Sequence, residues 1–193
     1  MSSIASGAYS FSFGGCYSSA DSTKITEAAG NYSFALGENV QATGEHSFAF
    51  GTSSIASGAY SFAFGFSTLL GSISFTEAKG RCSFAFGQNV KTESNNSFAF
   101  GKEVQTDSSD SIALGSNLKT LNSGEVALGA NNSSIQKTET QAGTAFTVGK
   151  GFNSKINAAN LFQIDTDGTV YIINPKTYNL INVQDLLKDL LPS

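Results

Sequence analysis

Few side chains of this 193-residue chain suit acid–base, nucleophilic or metal chemistry. The sequence has one histidine, His46, and two cysteines, Cys16 and Cys82, which lie far apart without the CxxC spacing of a zinc or redox site. A single imidazole leaves little for general-base catalysis or for a metal cluster. We therefore expect two unpaired bystander thiols, no metal and no cofactor.

Carboxylates offer two further routes to chemistry. A polysaccharide depolymerase built on a β-solenoid would need paired acids in a groove, and Asp21 with Glu27 or Glu77 would supply them only by chance. Asp165 and Asp167 resemble the start of a calcium loop, but no glutamate falls at its twelfth position. Solvated loop carboxylates and a hairpin turn are the simpler interpretations, so an enzyme is a remote alternative.

The amino-acid composition limits the kinds of partner that this protein can bind. Charged residues make up 13% of the chain and the net charge is −4, so there is no basic footprint for nucleic acid. The 40% hydrophobic and 11% aromatic residues are enough to drive collapse into a packed fold. We find neither an apolar window long enough to span a bilayer nor the pattern of a signal peptide near Met1, so we expect no direct membrane insertion.

The elements that position these side chains follow from an internal repeat. A block of Ser, Phe or Ile, a small residue, Phe or Leu, and Gly ends at Gly14, Gly37, Gly51, Gly65, Gly87, Gly101 and Gly115, and the variants EVALG and AFTVG extend the series to nine at Gly129 and Gly149. The separations are 23, 14, 14, 22, 14, 14, 14 and 20 residues. Frequent glycine beside aromatic residues argues against a coiled coil. Each 14-residue unit is therefore predicted to run strand, turn, strand, turn.

Strand geometry assigns the side chains to faces. The two large residues of each block lie at i and i+2 and share one face, while serine and alanine share the other. We predict turns at Gly37, Gly51, Gly65, Gly87, Gly101, Gly115 and Gly129. We predict a core formed by Phe48, Phe50, Phe62, Phe64, Phe84, Phe86, Phe98 and Phe100. The alanine ladder would then lie on the second face, where another chain can approach closely.

A longer duplication is superimposed on the short repeat. Residues 2–14 return as residues 53–65 with a single difference, Ser12 against Ala63. Met1 stands where the second copy has Thr52, so the array starts at a repeat boundary without a cap. We expect Met1 to head a fragment of a longer array.

One coil cannot bury large side chains alone, so successive coils must stack about 4.8 Å apart. This predicts an all-β solenoid domain over residues 1–150. Shortage of charge favours surface shared between subunits, and a homotrimer around an axis parallel to the roll is the economical arrangement.

The units ATGEHSFAFG and IASGAYSFAFG resemble the head repeats of YadA-like trimeric adhesins and related repeats in phage tail fibres. The resemblance covers residues 2–149 and implies a left-handed parallel β-roll in a tight homotrimer, a surface-exposed position and a role in attachment. Phenylalanine stands where many relatives have valine, isoleucine or a polar residue, so the packing should differ in detail.

Three coils exceed 14 residues, by 9, 8 and 6, and their extra residues fall within 15–29, 66–79 and 130–142. Insertions in a solenoid emerge as loops or strands on one flank. Their apolar members are candidate receptor-binding residues: Tyr17, Phe66, Leu69, Leu70 and Phe75. The alternative is that these side chains pack against the roll or a neighbouring subunit.

Residues 151–193 lose the period and form a second predicted segment. Alternating apolar residues around Asp167-Gly168 predict a β-hairpin. Asn182 can cap a short helix with Asp185 in its first turn. The apolar side of that helix is Val183, Leu186, Leu187 and Leu190, and we expect three copies to meet on the trimer axis.

These features predict a non-enzymatic fibre or adhesin head that attaches to a cell-surface or matrix receptor, a host-cell glycan or protein. Its expected location is an extracellular surface fibre or a virion, for example a phage tail fibre. A structural spacer without its own receptor site is the alternative.

Overall fold

A computed structural model describes residues 3–15, 25–66, 75–132, 134, 136–150, 160–173 and 180–188. The described part of the chain is nearly all β, with 54% of the described residues in strands. In chain order the elements of the described part are β1 (Ser3–Ala5), β2 (Phe11–Gly15), β3 (Thr26–Ala28), β4 (Phe34–Glu38), β5 (Gln41–Ala42), β6 (Phe48–Thr52), β7 (Ser54–Ala56), β8 (Phe62–Gly65), β9 (Thr76–Ala78), β10 (Phe84–Gln88), β11 (Lys91–Thr92), β12 (Phe98–Thr106), β13 (Ile112–Thr120), β14 (Val126–Ala130), β15 (Thr144–Lys150), β16 (Asn160–Asp165), β17 (Val170–Ile173), β18 (Leu180–Asn182) and α1 (Val183–Lys188).

The strands stack as two parallel ladders. The first ladder contains the SFAFG-type blocks and runs through β2, β4, β6, β8, β10, β12, β13, β14 and β15. The second runs through β1, β3, β5, β7, β9 and β11 into the later halves of β12 and β13. Equivalent residues of successive repeats are direct partners, as in Phe48 with Phe62 and Gly51 with Gly65. The predicted β-roll of 14-residue coils is confirmed.

The interior is lined by small side chains. The first ladder contributes fully buried alanines, namely Ala35, Ala49, Ala63, Ala85, Ala99, Ala113 and Ala127. The second ladder contributes Thr26, Ala28, Ala42, Ala56, Thr76, Ala78, Thr92, Val104 and Thr106, all at most 1% exposed. Two strands joined by tight turns leave a narrow space between the ladders, which small side chains fill in most coils, while Leu118 and Glu125 are buried in the later coils.

The phenylalanine core predicted from the sequence is therefore wrong within one chain. Phe48, Phe50, Phe62, Phe64, Phe84 and Phe86 are half-buried on the outside of the roll, and Phe98 and Phe100 are exposed. The alternation was assigned correctly, but the faces are reversed because the roll is too thin to hold two rings per coil.

The closing glycines lie where each first-ladder strand bends into the second turn. Gly51 has φ 101°, a conformation that favours glycine. A Cβ atom on Gly51 would also collide with the carbonyl oxygen of Gly65 in the next coil. Coil stacking and backbone conformation thus both require glycine at this corner.

The C-terminal residues continue the same sheet with reversed direction. β16 pairs antiparallel with β15, and β17 and β18 follow as an antiparallel meander. The predicted hairpin is present, with Gly168 at φ 85° in its turn and the Gly168 amide donating to the Asp165 carbonyl at 2.9 Å. Asn182 Oδ1 caps α1 by accepting from the Gln184 amide at 2.8 Å.

Candidate interaction surfaces

The outer side of the first ladder forms one continuous apolar surface, here called the Phe face. It has two columns of side chains, because positions i and i+2 of every block point outwards. The first column is Phe11, Phe34, Phe48, Phe62, Phe84, Phe98, Ile112, Val126 and Phe146, and the second is Phe13, Leu36, Phe50, Phe64, Phe86, Phe100, Leu114, Leu128 and Val148.

Aromatic stacking orders the Phe face. From Phe34 to Phe98 the ring centroids of the first column are 4.6–5.1 Å apart, with planes within 4° of parallel. Phe50, Phe64, Phe86 and Phe100 stack similarly, at 4.6–4.9 Å. Each ring covers its neighbour, so the coils present a flat surface about 40 Å long.

Two of the five candidate receptor residues, Phe66 and Phe75, are described in the structure, and they have different surroundings. The ring of Phe66 is 53% exposed and packs edge-on against Phe64 and Phe86, at centroid distances of 4.7 and 6.0 Å. Phe66 therefore extends the Phe face. Phe75 is half-buried just before β9, and no ring contact among the described residues joins it to Phe66. Tyr17, Leu69 and Leu70 lie outside the described residues.

The candidate helix residues are partly described. Leu186 and Leu187 are 42% and 47% exposed, and Val183 is half-buried. Leu190 lies outside the described residues. In a single chain α1 thus presents its leucines to solvent.

The outer side of the second ladder, here called the charged face, has the opposite chemistry. Glu77 Oε2 lies 3.3 Å from Lys79 Nζ and 3.5 Å from Lys91 Nζ, and Lys79 also pairs with Glu93 at 3.0 Å. The hydrogen bond to the Glu93 carboxylate raises the pKa of the Lys79 ammonium, while partial burial opposes that rise. Such half-exposed pairs contribute little stability and keep the face solvated.

A ridge of exposed rings, which we did not predict, follows the turn between the ladders. Tyr9, Tyr32, His46 and Tyr60 stack at 4.8–5.1 Å. Their φ angles are 53–58°, a region that bulky residues rarely adopt. The Arg81 guanidinium lies 5.8 Å from the Tyr60 ring centre. The sequence signal is the aromatic residue two positions after the opening glycine in GAY, GNY, GEH and GAY.

The carboxylate of Glu125 is buried in the interior of the roll. Glu125 takes the place of the serine that opens the preceding block, Ser111, and is fully buried. Its Oε2 accepts hydrogen bonds from the Leu121 amide and from the Ser134 hydroxyl, both at 2.8 Å. Burial raises the pKa of the Glu125 carboxyl, and these hydrogen bonds oppose the rise. Glu125 therefore attaches part of the third enlarged coil to the roll.

The two pairs considered for catalysis, Asp21 with Glu27 and Asp21 with Glu77, each include a residue outside the described ones and stay untested. Glu27 and Glu77 occupy one column of the second ladder, three coil steps apart through β5 and β7. Three steps amount to about 14 Å, which exceeds the carboxyl separations of glycoside hydrolases. Asp21 lies outside the described residues.

The Asp165–Asp167 segment is organised as a turn. Asp167 Oδ1 accepts from the Thr169 amide at 2.9 Å, which lowers the pKa of Asp167. Asp165 Oδ1 accepts from Gln163 Nε2 at 2.6 Å, and burial raises its pKa. The described residues contain no group of three or more His, Cys, Asp or Glu that could hold a metal ion. Within the same residues no helix is long and apolar enough to cross a membrane.

Comparison with known families bears directly on the coils. Residues 42–68 match the YadA head domain repeat in two copies. The chain carries YadA-like head repeats. The matched coils of the YadA-like repeat pair in register with coils on both sides, from β2 to β15. No curated protein matches the chain. The YadA head repeat supports an adhesin-type fibre head.

Proposed function

We propose that this chain forms the head of a non-enzymatic trimeric fibre. Three copies join through the Phe face, and the assembled head presents a rigid surface for attachment to a cell-surface or matrix receptor. Its place is a phage tail fibre or a similar extracellular fibre.

The exposed Phe face is the observation that carries the proposal. Phe98, Phe100, Ile112 and Leu114 are 36–45% exposed, and neither column contains a charged side chain. Contiguous apolar surface of this extent marks an interaction site. Covering it with the same face of other copies removes its apolar area from water at about 25 cal/mol per Å².

The arrangement of three copies around one axis rests on two further features. The YadA-like repeat implies trimer formation in general terms, and closed cyclic symmetry gives every copy the same long contact. The exposed Leu186 and Leu187 of α1 then acquire partners from the other two copies, which a six-residue helix needs for stability.

We assign receptor binding to the surfaces that remain exposed when the Phe faces of the three copies are in contact. The charged face and the aromatic ridge offer carboxylates, ammonium groups, a guanidinium and ring edges to a host glycan or protein. The enlarged coils carrying Tyr17, Leu69 and Leu70 add apolar side chains to the candidate receptor surface.

Light scattering or sedimentation tests the assembly. We expect the wild-type chain to have three times its 20.1 kDa mass, and Phe48→Asp to dissociate or aggregate because it places a charge in the Phe face. Gln41→Asp on the charged face is the matched control and should remain trimeric. A soluble wild-type monomer at micromolar concentration would contradict the proposal.

A structural spacer is the second candidate, favoured by two contacts. The Phe66 ring packs on the Phe face, and the Ser134 hydroxyl donates a hydrogen bond to the Glu125 carboxylate. Described parts of two enlarged coils therefore contact the roll. Cell-binding and glycan-binding assays on the whole chain separate the candidates. We expect binding that is lost when residues 66–79 are shortened to six, with the trimer mass unchanged. A trimer that binds no cell or glycan would favour the spacer.

A further inference from the structure

The aromatic ridge ends where the residue type at one turn position changes. The column of that position is Tyr9, Tyr32, His46, Tyr60, Cys82, Asn96 and Asp110. From Tyr32 onwards, the amide of each member donates to a carbonyl of the preceding turn, at 2.8–3.1 Å. The turns therefore stack in register throughout, while the ring stack stops at Tyr60 and the short side chain of Cys82 follows it.

The turn itself does not require a ring at this position. Tyr60 has a φ of 58°, and Asn96 and Asp110 form the same turn with φ angles of 54° and 60°. Asparagine and aspartate accept this region readily, whereas bulky residues rarely adopt it. A ring that is held in a disfavoured conformation at an exposed turn indicates a role in function.

The guanidinium of Arg81 lies at the end of the ring stack. Arg81 is the single arginine of the sequence, and its guanidinium carbon is 5.8 Å from the centre of the Tyr60 ring. Between them the preceding turn has only the small side chain of Ala59, whose carbonyl accepts from the Cys82 amide. The Arg81 amide donates to Asn95 Oδ1 at 2.8 Å. The cation–π contact and this hydrogen bond hold Arg81 in place.

The Arg81 guanidinium has no acid partner among the described residues. Carboxylates do lie within 4.0 Å of other cations, namely Lys79, Lys91, Lys102, Lys119 and Lys188. The positions next to Arg81 in its own column are Ala59 and Asn95, which are uncharged. Glu45 follows two coil steps away, at about 9.6 Å, and lies 3.7 Å from His46 Nε2. An exposed guanidinium in these surroundings can bind a carboxylate from outside through its fork of N–H donors.

The groups around Arg81 suit a sugar. Asn95 and Asn96 are exposed. Asn95 uses its Oδ1 atom for the Arg81 amide, and Asn96 Nδ2 donates to Asp110 Oδ1 at 3.0 Å. The Nδ2 group of Asn95 and the Oδ1 atom of Asn96 are then available to hydroxyl groups. Peptide recognition would use a strand edge or an apolar groove, whereas the exposed side chains here are amides, a thiol and a carboxylate.

We propose that Arg81, stacked on Tyr60, binds the carboxylate of an acidic sugar in a host glycan, and that Asn95 and Asn96 bind the hydroxyl groups of that sugar. The proposal names the ligand class for the attachment function proposed above and rests on that function. All of these side chains belong to one chain, so the site does not depend on the lateral contact through the Phe face.

Glycan binding by the whole chain tests the proposal. The chain is applied to an array of neutral, carboxylated and sulfated oligosaccharides, together with the methyl esters of the carboxylated ones. We expect binding to carboxylated oligosaccharides that weakens in high salt and is absent for their methyl esters. Arg81→Gln should lower the affinity by roughly tenfold or more, because it removes a charge-assisted hydrogen bond.

Two further variants separate binding from folding. Tyr60→Asn removes the ring and keeps a residue type that forms this turn at Asn96, so we expect weaker binding at an unchanged melting temperature. Lys102→Gln removes one positive charge elsewhere and should bind as the wild type does. The mass of each variant reports the assembly.

Equal binding by Arg81→Gln and the wild type would overturn the proposal, as would equal binding of an oligosaccharide and its methyl ester. A preference for sulfated oligosaccharides or for an acidic peptide such as hexaglutamate would also overturn it. If cells or neutral glycans are bound and Arg81→Gln has no effect, this site is wrong while the attachment function stands. If the chain binds no cell and no glycan, the attachment function is wrong as well.

Discussion

The interior of the roll and its Phe face are built by the same strands, yet they have opposite sizes of side chain. In β6 the interior residue Ala49 is fully buried, while its neighbours Phe48 and Phe50 stand half-buried outside. Each coil from β4 to β14 places alanine inside and large apolar side chains outside, and stacking aligns these positions from coil to coil. The interior of the first ladder therefore contains a column of alanines, and its outer side contains columns of stacked rings. The comparison teaches that in a thin solenoid the largest apolar side chains serve contacts outside the coil.

The strongest test concerns the corner that both surfaces share. Gly51→Val should destabilise the protein by about 3 kcal/mol or more, because it adds strain at φ 101° and a collision with the next coil. Thermal unfolding measures the loss. Glu45→Lys, in an exposed turn, is the control, and equal melting temperatures for the two variants would contradict the register of the coils.

The second test changes the size of one side chain in the interior and of one on the Phe face. Ala49→Leu should cost about 1–3 kcal/mol because the fully buried site has no room for added atoms. Phe48→Leu, on the Phe face, should cost less. Denaturant unfolding of both variants decides the matter. A larger loss for Phe48→Leu would mean that rings, and not alanines, dominate the stability.

The third test uses the acid that stands in the interior. The pKa of Glu125 is raised above 4.5 in the folded protein, so the folded state binds this proton more tightly than the unfolded state does. Its stabilising contribution is therefore complete below pH 4.5 and is lost as the pH rises through the raised pKa. Glu125→Gln should remove this component and make the protein more stable at pH 7 than the wild type.

Melting temperatures at pH 4 and pH 7 check the Glu125 prediction. The wild type and Glu125→Gln should differ more at pH 7 than at pH 4. A difference that is larger at pH 4 would have the opposite sign and would refute the burial argument.

The smallest effect is expected on the charged face, away from both surfaces. Lys79→Gln removes the pairs with Glu77 and Glu93 and should cost less than about 0.5 kcal/mol, because Lys79 is 43% exposed. Unfolding at low and high salt measures it, and the small difference should shrink further in high salt. If Lys79→Gln lowered the free energy of unfolding as much as Ala49→Leu does, the charged face would have to be packed against another surface.

Much of this architecture could be predicted from the residues. The positions of Gly51 and Gly65 gave the coil length, and the i, i+2 spacing of Phe48 and Phe50 placed both rings on one face. Asp167-Gly168 and Asn182 indicated the hairpin turn and the helix cap, which the structure contains. These predictions succeeded because they depend on local geometry and on exact repetition.

The side of the strand that faces inwards could not be predicted in this way. Alternation defines two faces without choosing between them, and the usual preference of phenylalanine for the interior gave the wrong choice. The aromatic ridge was missed because Tyr32 and His46 adopt a conformation that propensity disfavours. Ring stacking between coils accompanies that conformation, and it becomes visible only when the coils are placed together.

The sequence by itself determined the period, the in-register pairing and the absence of charge from the Phe columns, because each follows from residue spacing and composition. Only the tertiary structure decided which face is inside and what the phenylalanines contact. The physical reason is the width of the roll: two strands joined by tight turns leave room for alanine and threonine between them, and that distance is a property of the folded coil.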